Sequence, residues 1–222
     1  FHRLKTDLAR ENPDIVFHLA AQSLVRPSYQ NPLETYHTNV IGTLNLLEAA
    51  RDCDNLKAII IVTTDKVYEN RNLGRGYTEK DRLGGHDPYS TSKVCKEFIT
   101  RSYRDSFYNT RKSAHRHPVL LSTARAGNVI GGGDWSKDRL IPDAVRAAAN
   151  SRNLIIRNSG AVRPWQHVLD SLSGYLLLGQ KLLEGNKNFA DSWNFGPEPE
   201  TAISVERLIC LAAKHWKKIN YR

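Results

Sequence analysis

The sequence predicts an α/β protein built on a doubly wound parallel sheet, followed by a smaller, partly interleaved α/β subdomain. Three observations lead there. Strand-length apolar runs alternate with long helical segments. The runs are continuously apolar, as expected of strands covered by helices on both faces. Reactive and amide side chains gather just beyond each run, where open sheets of this kind bind ligands.

Each element can be justified in turn. "FHRLKTDLAREN" carries apolar residues at helical spacing and is broken by Asn12-Pro13-Asp14. "IVFHLAA" follows as a buried strand. "NPLETYHTNVIGTLNLLEAARD" reads as a long helix with Pro32 near its start. "AIIIVTT" is the next strand, and the text from Gly74 to Gly85 is a glycine-rich loop. "PYSTSKVCKEFITRSYRDSF" is a second long helix, opened by Pro88, and "VLLSTARA" is the third strand. After Gly133 the pattern loosens into the helices "DRLIPDAVRAAANS", "HVLDSLSGYLLLGQKLLEG" and "SVERLICLAAKHW", with short strands at "NLIIRN" and "SWNFGP". The expected division is therefore 1–133 and 134–222.

The chain has 222 residues, 40% hydrophobic and 25% charged, which fits a globular protein. No apolar run reaches the roughly eighteen residues of a membrane-spanning helix. The three cysteines, Cys53, Cys95 and Cys210, are scattered, which argues against a disulfide framework or zinc site and for a reducing, cytoplasmic setting. Cys95 and Cys210 read as core thiols. The net charge of +9 is spread out, densest in the loop "RKSAHRH", Arg111 to His117, where His115 and His117 lack a further metal ligand nearby. Neither a metal site, a nucleic-acid motif nor a membrane partner is expected.

The chemistry concentrates at two places. The strand "AIIIVTT" delivers Thr64, Asp65 and Lys66 to its own tip. Tyr89 and Lys93, four apart at the start of a helix, share a face, so an ammonium lies near a phenol. A free phenol titrates near 10, and service as a base near neutrality needs a depression of roughly three units, or about 4 kcal/mol. A nearby cation in a poorly solvated cleft can supply that. A second Tyr-x-x-x-Lys, Tyr108 with Lys112, leads into the basic loop and lacks a matching strand tip.

These residues resemble the extended short-chain dehydrogenase/reductase superfamily. "HLAA", "NVIGTLNLLEAA" and a strand-end Thr before Y-x-x-x-K carry the likeness. "TTDKVYEN", "LGGHDPYSTSK", "ARAGNVIGGGDW", "DRLIPD" and "RPWQHVLDSLSGYLLL" narrow it to the CDP-glucose 4,6-dehydratase branch, across nearly the whole chain. The resemblance implies a Rossmann-like domain with NAD as cofactor, CDP-glucose as substrate and a homodimer. It implies that Tyr89 deprotonates the sugar's 4-hydroxyl while Thr64 orients it. Asp65 would be the acid at the departing 6-hydroxyl. Lys66 would be the base at carbon 5, with Glu69 as rival; Lys66 would need burial or a nearby positive charge to serve. Lys93 would also hold the nicotinamide ribose, and Ala20, Ala21 and Gln22 would line the cofactor cleft. Asn128 and Arg163 would contact the substrate diphosphate and Asn194 the substrate; Arg157 would contact the base or be simply an exposed strand arginine. For Asn128, Asn194 and His167 the alternative is turn or cap chemistry. Gly131 to Gly133 lack the Lys-Ser/Thr ending of a phosphate-cradling loop and read as a tight turn. The dimer face would lie on residues 31–52 and 88–107, with Leu44, Leu47, Phe98 and Tyr103 as contributors.

A glycine-rich dinucleotide fingerprint does not occur in the chain, which starts at Phe1, contains no Met and opens within a helix. The chain is therefore expected to be an internal fragment, inactive by itself, of a longer lyase. Two other readings stay open: a related NAD-dependent nucleotide-sugar epimerase or dehydratase, and a non-catalytic basic binding protein on the same fold.

Overall fold

A computed structural model describes residues 1–71, 73–108, 119–198 and 201–222. The basic stretch Arg111 to His117, with Lys112, His115 and His117, lies outside the described residues. The first half gives α1 (His2–Glu11), β1 (Ile15–His18), α2 (Val25–Gln30), α3 (Pro32–Tyr36), a π-helical turn (His37–Ile41), α4 (Gly42–Ala49), β2 (Ala58–Val62), α5 (Pro88–Tyr103) and β3 (Leu120–Ala126). The second gives β4 (Asn128–Ile130), α6 (Leu140–Ala149), β5 (Asn153–Leu154), β6 (Val162–Arg163), β7 (Trp165–His167), α7 (Val168–Leu183), β8 (Ser192–Phe195), β9 (Ile203–Ser204), α8 (Val205–His215) and β10 (Asn220–Tyr221).

The chain divides into two compact units, Phe1–Ala126 with Leu172–Phe195, and Gly127–Ser171 with Gly196–Arg222. This differs from the expected boundary at 133/134 for a reason visible in the strand pairing. Strand β8 returns to pair in parallel with β3, Thr123 opposite Ser192. Strand β4 instead pairs with β7, Asn128 opposite Trp165.

The first unit holds a fully parallel sheet in the order β1-β2-β3-β8. Ala58 stands between Ile15 on one side and Leu120 on the other. Parallel neighbours require crossovers, and the helices between them supply these. Strands β2 and β3 are almost wholly buried, which explains the uninterrupted apolar text of β2, whereas β3 buries Ser122, Thr123 and Arg125 among its apolar residues. Leu47, Leu56, Ile59, Ile61 and Leu121 form the core on one face with Tyr108. Each such side chain contributes about 1.5–3 kcal/mol through removal from water. Among the described residues β1 pairs on one side only, with β2.

Several expectations need correction. Leu47 is fully buried in this core, so it offers nothing to a dimer face; Phe98 is 55% exposed. Leu44 is half-buried. Tyr103 is half-buried and donates its hydroxyl to Glu48 Oε2 at 3.0 Å. Cys53 is the buried thiol, while Cys95 and Cys210 are only half-buried. The helix expected over 31–52 runs on in helical backbone conformation from Pro32 to Asp52, with the π turn inserted between α3 and α4 and a 3-10 turn at its end. Helix α2 was not legible: Pro27 falls in its first turn, where a missing N–H costs no helical bond. "NLIIRN" shrinks to Asn153–Leu154 because its partner β10 is itself only two residues long.

In the second unit β4 and β7 run parallel, β6 and β9 antiparallel, and β5 and β10 parallel. Ala144, Ala148, Leu154, Ile209 and Ile219 form its core. Gly133 adopts φ 80°, the left-handed conformation of a tight turn.

Candidate active site

Helix α5 begins sharply because "HDPYS" is a strong start signal. Asp87 accepts from the Ser90 N–H at 2.9 Å, the Ser90 hydroxyl accepts in return from the Asp87 N–H at 3.0 Å, and Pro88 occupies the first turn. The preceding loop lies against the helix so closely that a Cβ on Gly85 would sit 2.3 Å from the Thr91 nitrogen. Tyr89 is thereby fixed in the first turn, 8% exposed, with its N–H donating to the Ser28 hydroxyl at 3.2 Å. One turn on, Lys93 is 3% exposed and its Nζ lies 5.9 Å from the centre of the Tyr89 ring. Burial pushes the Lys93 ammonium down to about 8, and the Glu97 carboxylate opposes the fall. Among the described residues Lys93 Nζ donates one hydrogen bond, a long one of 3.5 Å to the Val62 carbonyl at the end of β2.

Helix α5 packs against the turn Asp65–Val67 that follows β2. Thr64 is buried at the head of that turn, accepts from the Lys66 N–H at 3.4 Å and donates its hydroxyl to Asp65 Oδ1 at 3.1 Å. Lys66 is exposed, so of the two conditions named for it, burial or a nearby positive charge, burial is not met. Glu69 lies 3.4 Å from Arg82 Nε in an ion pair. Its backbone N–H donates to the Arg82 carbonyl at 2.9 Å. The strand tip and the Tyr89–Lys93 helix are thus brought together, as the spacing predicts.

At the tip of β1, Ala20 is exposed, while Ala21 and Gln22 are half-buried. Sequence reasoning overlooked what holds them. Asn39, fully buried on the π turn, accepts from the Gln22 N–H at 2.8 Å, donates to the Gln22 carbonyl at 3.0 Å and donates to the Ser92 hydroxyl at 2.8 Å. One amide therefore ties the β1 tip to α5, and a π turn inside a helix is a frequent companion of functional sites. A polar residue at the centre of an apolar helix was the available signal. Beside it, His18 Nε2 lies 3.1 Å from the Thr43 hydroxyl, which itself donates to the Asn39 carbonyl. Nε2 is therefore the donor. Burial, then the Lys96 and Lys93 charges, push His18 down to about 3, so it is neutral.

Asn194 is committed elsewhere. Its Oδ1 accepts from the Tyr68 hydroxyl at 2.6 Å and its Nδ2 donates to the Tyr77 carbonyl at 2.9 Å. Both groups of its side-chain amide are thus engaged within the first unit. In the second unit Asn128 is half-buried on β4, and Arg163 is exposed on β6 with Nη1 on the Val162 carbonyl. Arg157 is exposed, lies beyond β5 and sits 3.4 Å from Asp138. His167 Nδ1 accepts from the Leu169 N–H at 3.2 Å, a cap at the start of α7.

The family model described as GDP-mannose 4,6 dehydratase matches residues 2–193. The chain belongs to the GDP-mannose 4,6 dehydratase family. The CDP-glucose 4,6-dehydratase of Salmonella typhimurium is 49% identical to this chain over 216 residues, which is 97% of this chain and 60% of that protein. The fold of this family recurs in solved structures. The UDP-glucuronic acid 4-epimerase of Bacillus cereus, in complex with UDP-glucuronic acid and NAD, superposes with a TM-score of 0.82 at 22% identity. That match covers 99% of this chain and 64% of the epimerase. The dTDP-glucose 4,6-dehydratase of Streptomyces venezuelae, with NAD bound, gives 0.79 at 24% identity, covering 100% of this chain and 63% of that one. The chain thus spans about three fifths of the length of these relatives. Among the described residues no helix is long and apolar enough to cross a membrane.

Proposed function

We propose that this chain carries the catalytic residues of an NAD-dependent dehydratase that converts CDP-glucose to CDP-4-keto-6-deoxyglucose. The observation that carries the reading is the 49% identity to a CDP-glucose 4,6-dehydratase, which spans 97% of the chain, including the strand tip and the Tyr89–Lys93 helix. The residues suit a nicotinamide cofactor. A buried ammonium with three donors and one long recorded hydrogen bond, Lys93, has capacity left for ribose hydroxyls. Ala20, Ala21 and Gln22 would line the same cleft.

NAD, when bound, supplies the two-electron chemistry that links carbon 4 to carbon 6. Tyr89, its phenolate favoured by the adjacent Lys93 cation, takes the proton of the 4-hydroxyl. Thr64 orients that hydroxyl. The resulting ketone acidifies the hydrogen on carbon 5. Lys66 removes it, with Glu69 as the rival base, and Asp65 protonates the departing 6-hydroxyl. Asn128 and Arg163 bind the diphosphate and Arg157 the base, by resemblance. The protein works as a homodimer in the cytoplasm, and Phe98 remains an exposed apolar contributor to a helix face.

The test is product analysis of the intact protein with glucose linked to CDP, dTDP, UDP and GDP. CDP-glucose is expected to give the 4-keto-6-deoxy product fastest. A 4-epimer as the main product, or preference for another nucleotide, would refute this reading.

A further inference from the structure

Glu97 is buried, 3% exposed, and its carboxylate is saturated by donors from three strand regions. Oε1 accepts from the Thr63 hydroxyl at 2.5 Å and Arg125 Nε at 2.9 Å. Oε2 accepts from the Thr123 hydroxyl at 2.8 Å, Arg125 Nη2 at 2.8 Å and the Ser192 hydroxyl at 3.3 Å. Arg125 Nη1 donates to the Tyr68 hydroxyl at 2.8 Å. The cluster therefore joins α5, the end of β2, β3 and the start of β8.

Stability alone is a poor reason for such a pair. Replacing a buried ion pair with well-packed apolar groups is often neutral or stabilising by about 1–4 kcal/mol. Its placement suggests another purpose. Glu97 stands one helical turn beyond Lys93 and two beyond Tyr89. Thr63 directly precedes Thr64, and Tyr68 closes "TTDKVY".

We propose that Glu97, clamped by Arg125, is a positioning residue that fixes the Tyr89–Lys93 face of α5 against the tip of β2 and supplies the counter-charge for Lys93. It rests on the reading of Tyr89 and Lys93 as the catalytic pair. The charged and titratable groups around it are Lys93 and Lys96 on its own helix, Arg104 just beyond it, Arg125 on β3, His18 on β1 and Tyr68 after β2. Among them Glu97 is the charge that opposes the desolvation of Lys93. Despite burial, the Arg125 hydrogen bonds and charge, with the Thr63 and Thr123 hydroxyls, hold the Glu97 carboxyl below its ordinary value. It is an anion throughout the neutral range.

The test is Glu97→Gln in the intact protein, read by the NMR titration of the Lys93 side chain and by the pH profile of turnover. The Lys93 resonance is assigned by its loss in Lys93→Arg. The midpoint of Lys93 is expected to fall by about one unit, and the alkaline limb of turnover with it. A misplaced α5 should lower kcat by about 10–100-fold with KM little changed. Glu97→Gln leaves Arg125 buried without its partner, so the double variant Glu97→Gln, Arg125→Met covers the case in which the single variant does not fold. A Lys93 midpoint unchanged in whichever variant folds would overturn the proposal. A shifted Lys93 midpoint in a protein whose parent turns over no nucleotide sugar would support the clamp and refute the reaction assigned above.

Discussion

Tyr89→Phe is expected to slow reduction of the bound cofactor by about 10²–10⁴-fold when CDP-glucose is added, whereas Lys66→Ala should leave it intact. In the proposed reaction, oxidation at carbon 4 and elimination across carbons 5 and 6 are successive steps with different proton carriers. Phenylalanine fills the same buried site and keeps the packing of α5, so the variant removes only the hydroxyl. Lys66→Ala leaves in place Tyr89, Lys93 and Thr64, the residues proposed for the oxidation, so reduced cofactor and a 4-keto sugar should accumulate without loss of water. General acid–base groups are typically worth about 10²–10⁴-fold, so each loss should be large but incomplete. Absorbance of the reduced cofactor in single-turnover mixing, with product analysis, reads both steps. The exposure of Lys66 makes Glu69→Gln the necessary companion. If that variant stops dehydration and Lys66→Ala does not, Glu69 is the base. If neither slows it, both assignments at carbon 5 fail.

Lys96→Met is expected to stabilise the protein near neutral pH. Lys96 is fully buried on α5 and its Nζ has no hydrogen-bond partner among the described residues. Burial, then the neighbouring Lys93 charge, push it down to about 6, with Glu97 opposing. In the unfolded chain a lysine titrates near 10.4. Between those two values the unfolded state holds a proton that the folded state has released, so this group makes stability rise with pH across that window. At pH 7 the linkage sets an upper bound of about 4–5 kcal/mol on the cost, and buried unsatisfied polar groups measured by mutation cost about 1–3 kcal/mol. A gain of about 1–3 kcal/mol in urea unfolding at pH 7, shrinking toward pH 10, is expected. Destabilisation at every pH would show that the amine has a partner that matters.

The parts of this molecule that were legible in the sequence are those governed by periodicity and by strand ends. Ala58–Val62 is buried almost throughout and its wholly apolar text says so; Leu120–Ala126 is also buried, although its text includes an arginine. Tyr89 and Lys93 could be paired because a helix repeats every 3.6 residues. What escaped depended on tertiary partners. Arg125 sits within the apolar run "VLLSTARA", and an arginine there demands a buried carboxylate, but nothing local identifies Glu97 as that partner. The two-residue strands β6 and β9 exist only because they meet each other. The tie between Asn194 and Tyr68, whose hydroxyl donates to the Asn194 amide oxygen, joins residues far apart in the chain and left no local sign.

The most direct test of the dehydratase assignment is the fate of deuterium placed on carbon 4 of CDP-glucose. The intact protein, with NAD, should deliver that deuterium to carbon 6 of CDP-4-keto-6-deoxyglucose, and solvent hydrogen should enter at carbon 5. Deuterium retained on carbon 4 of a CDP-hexose epimer, or lost altogether to solvent, would contradict it.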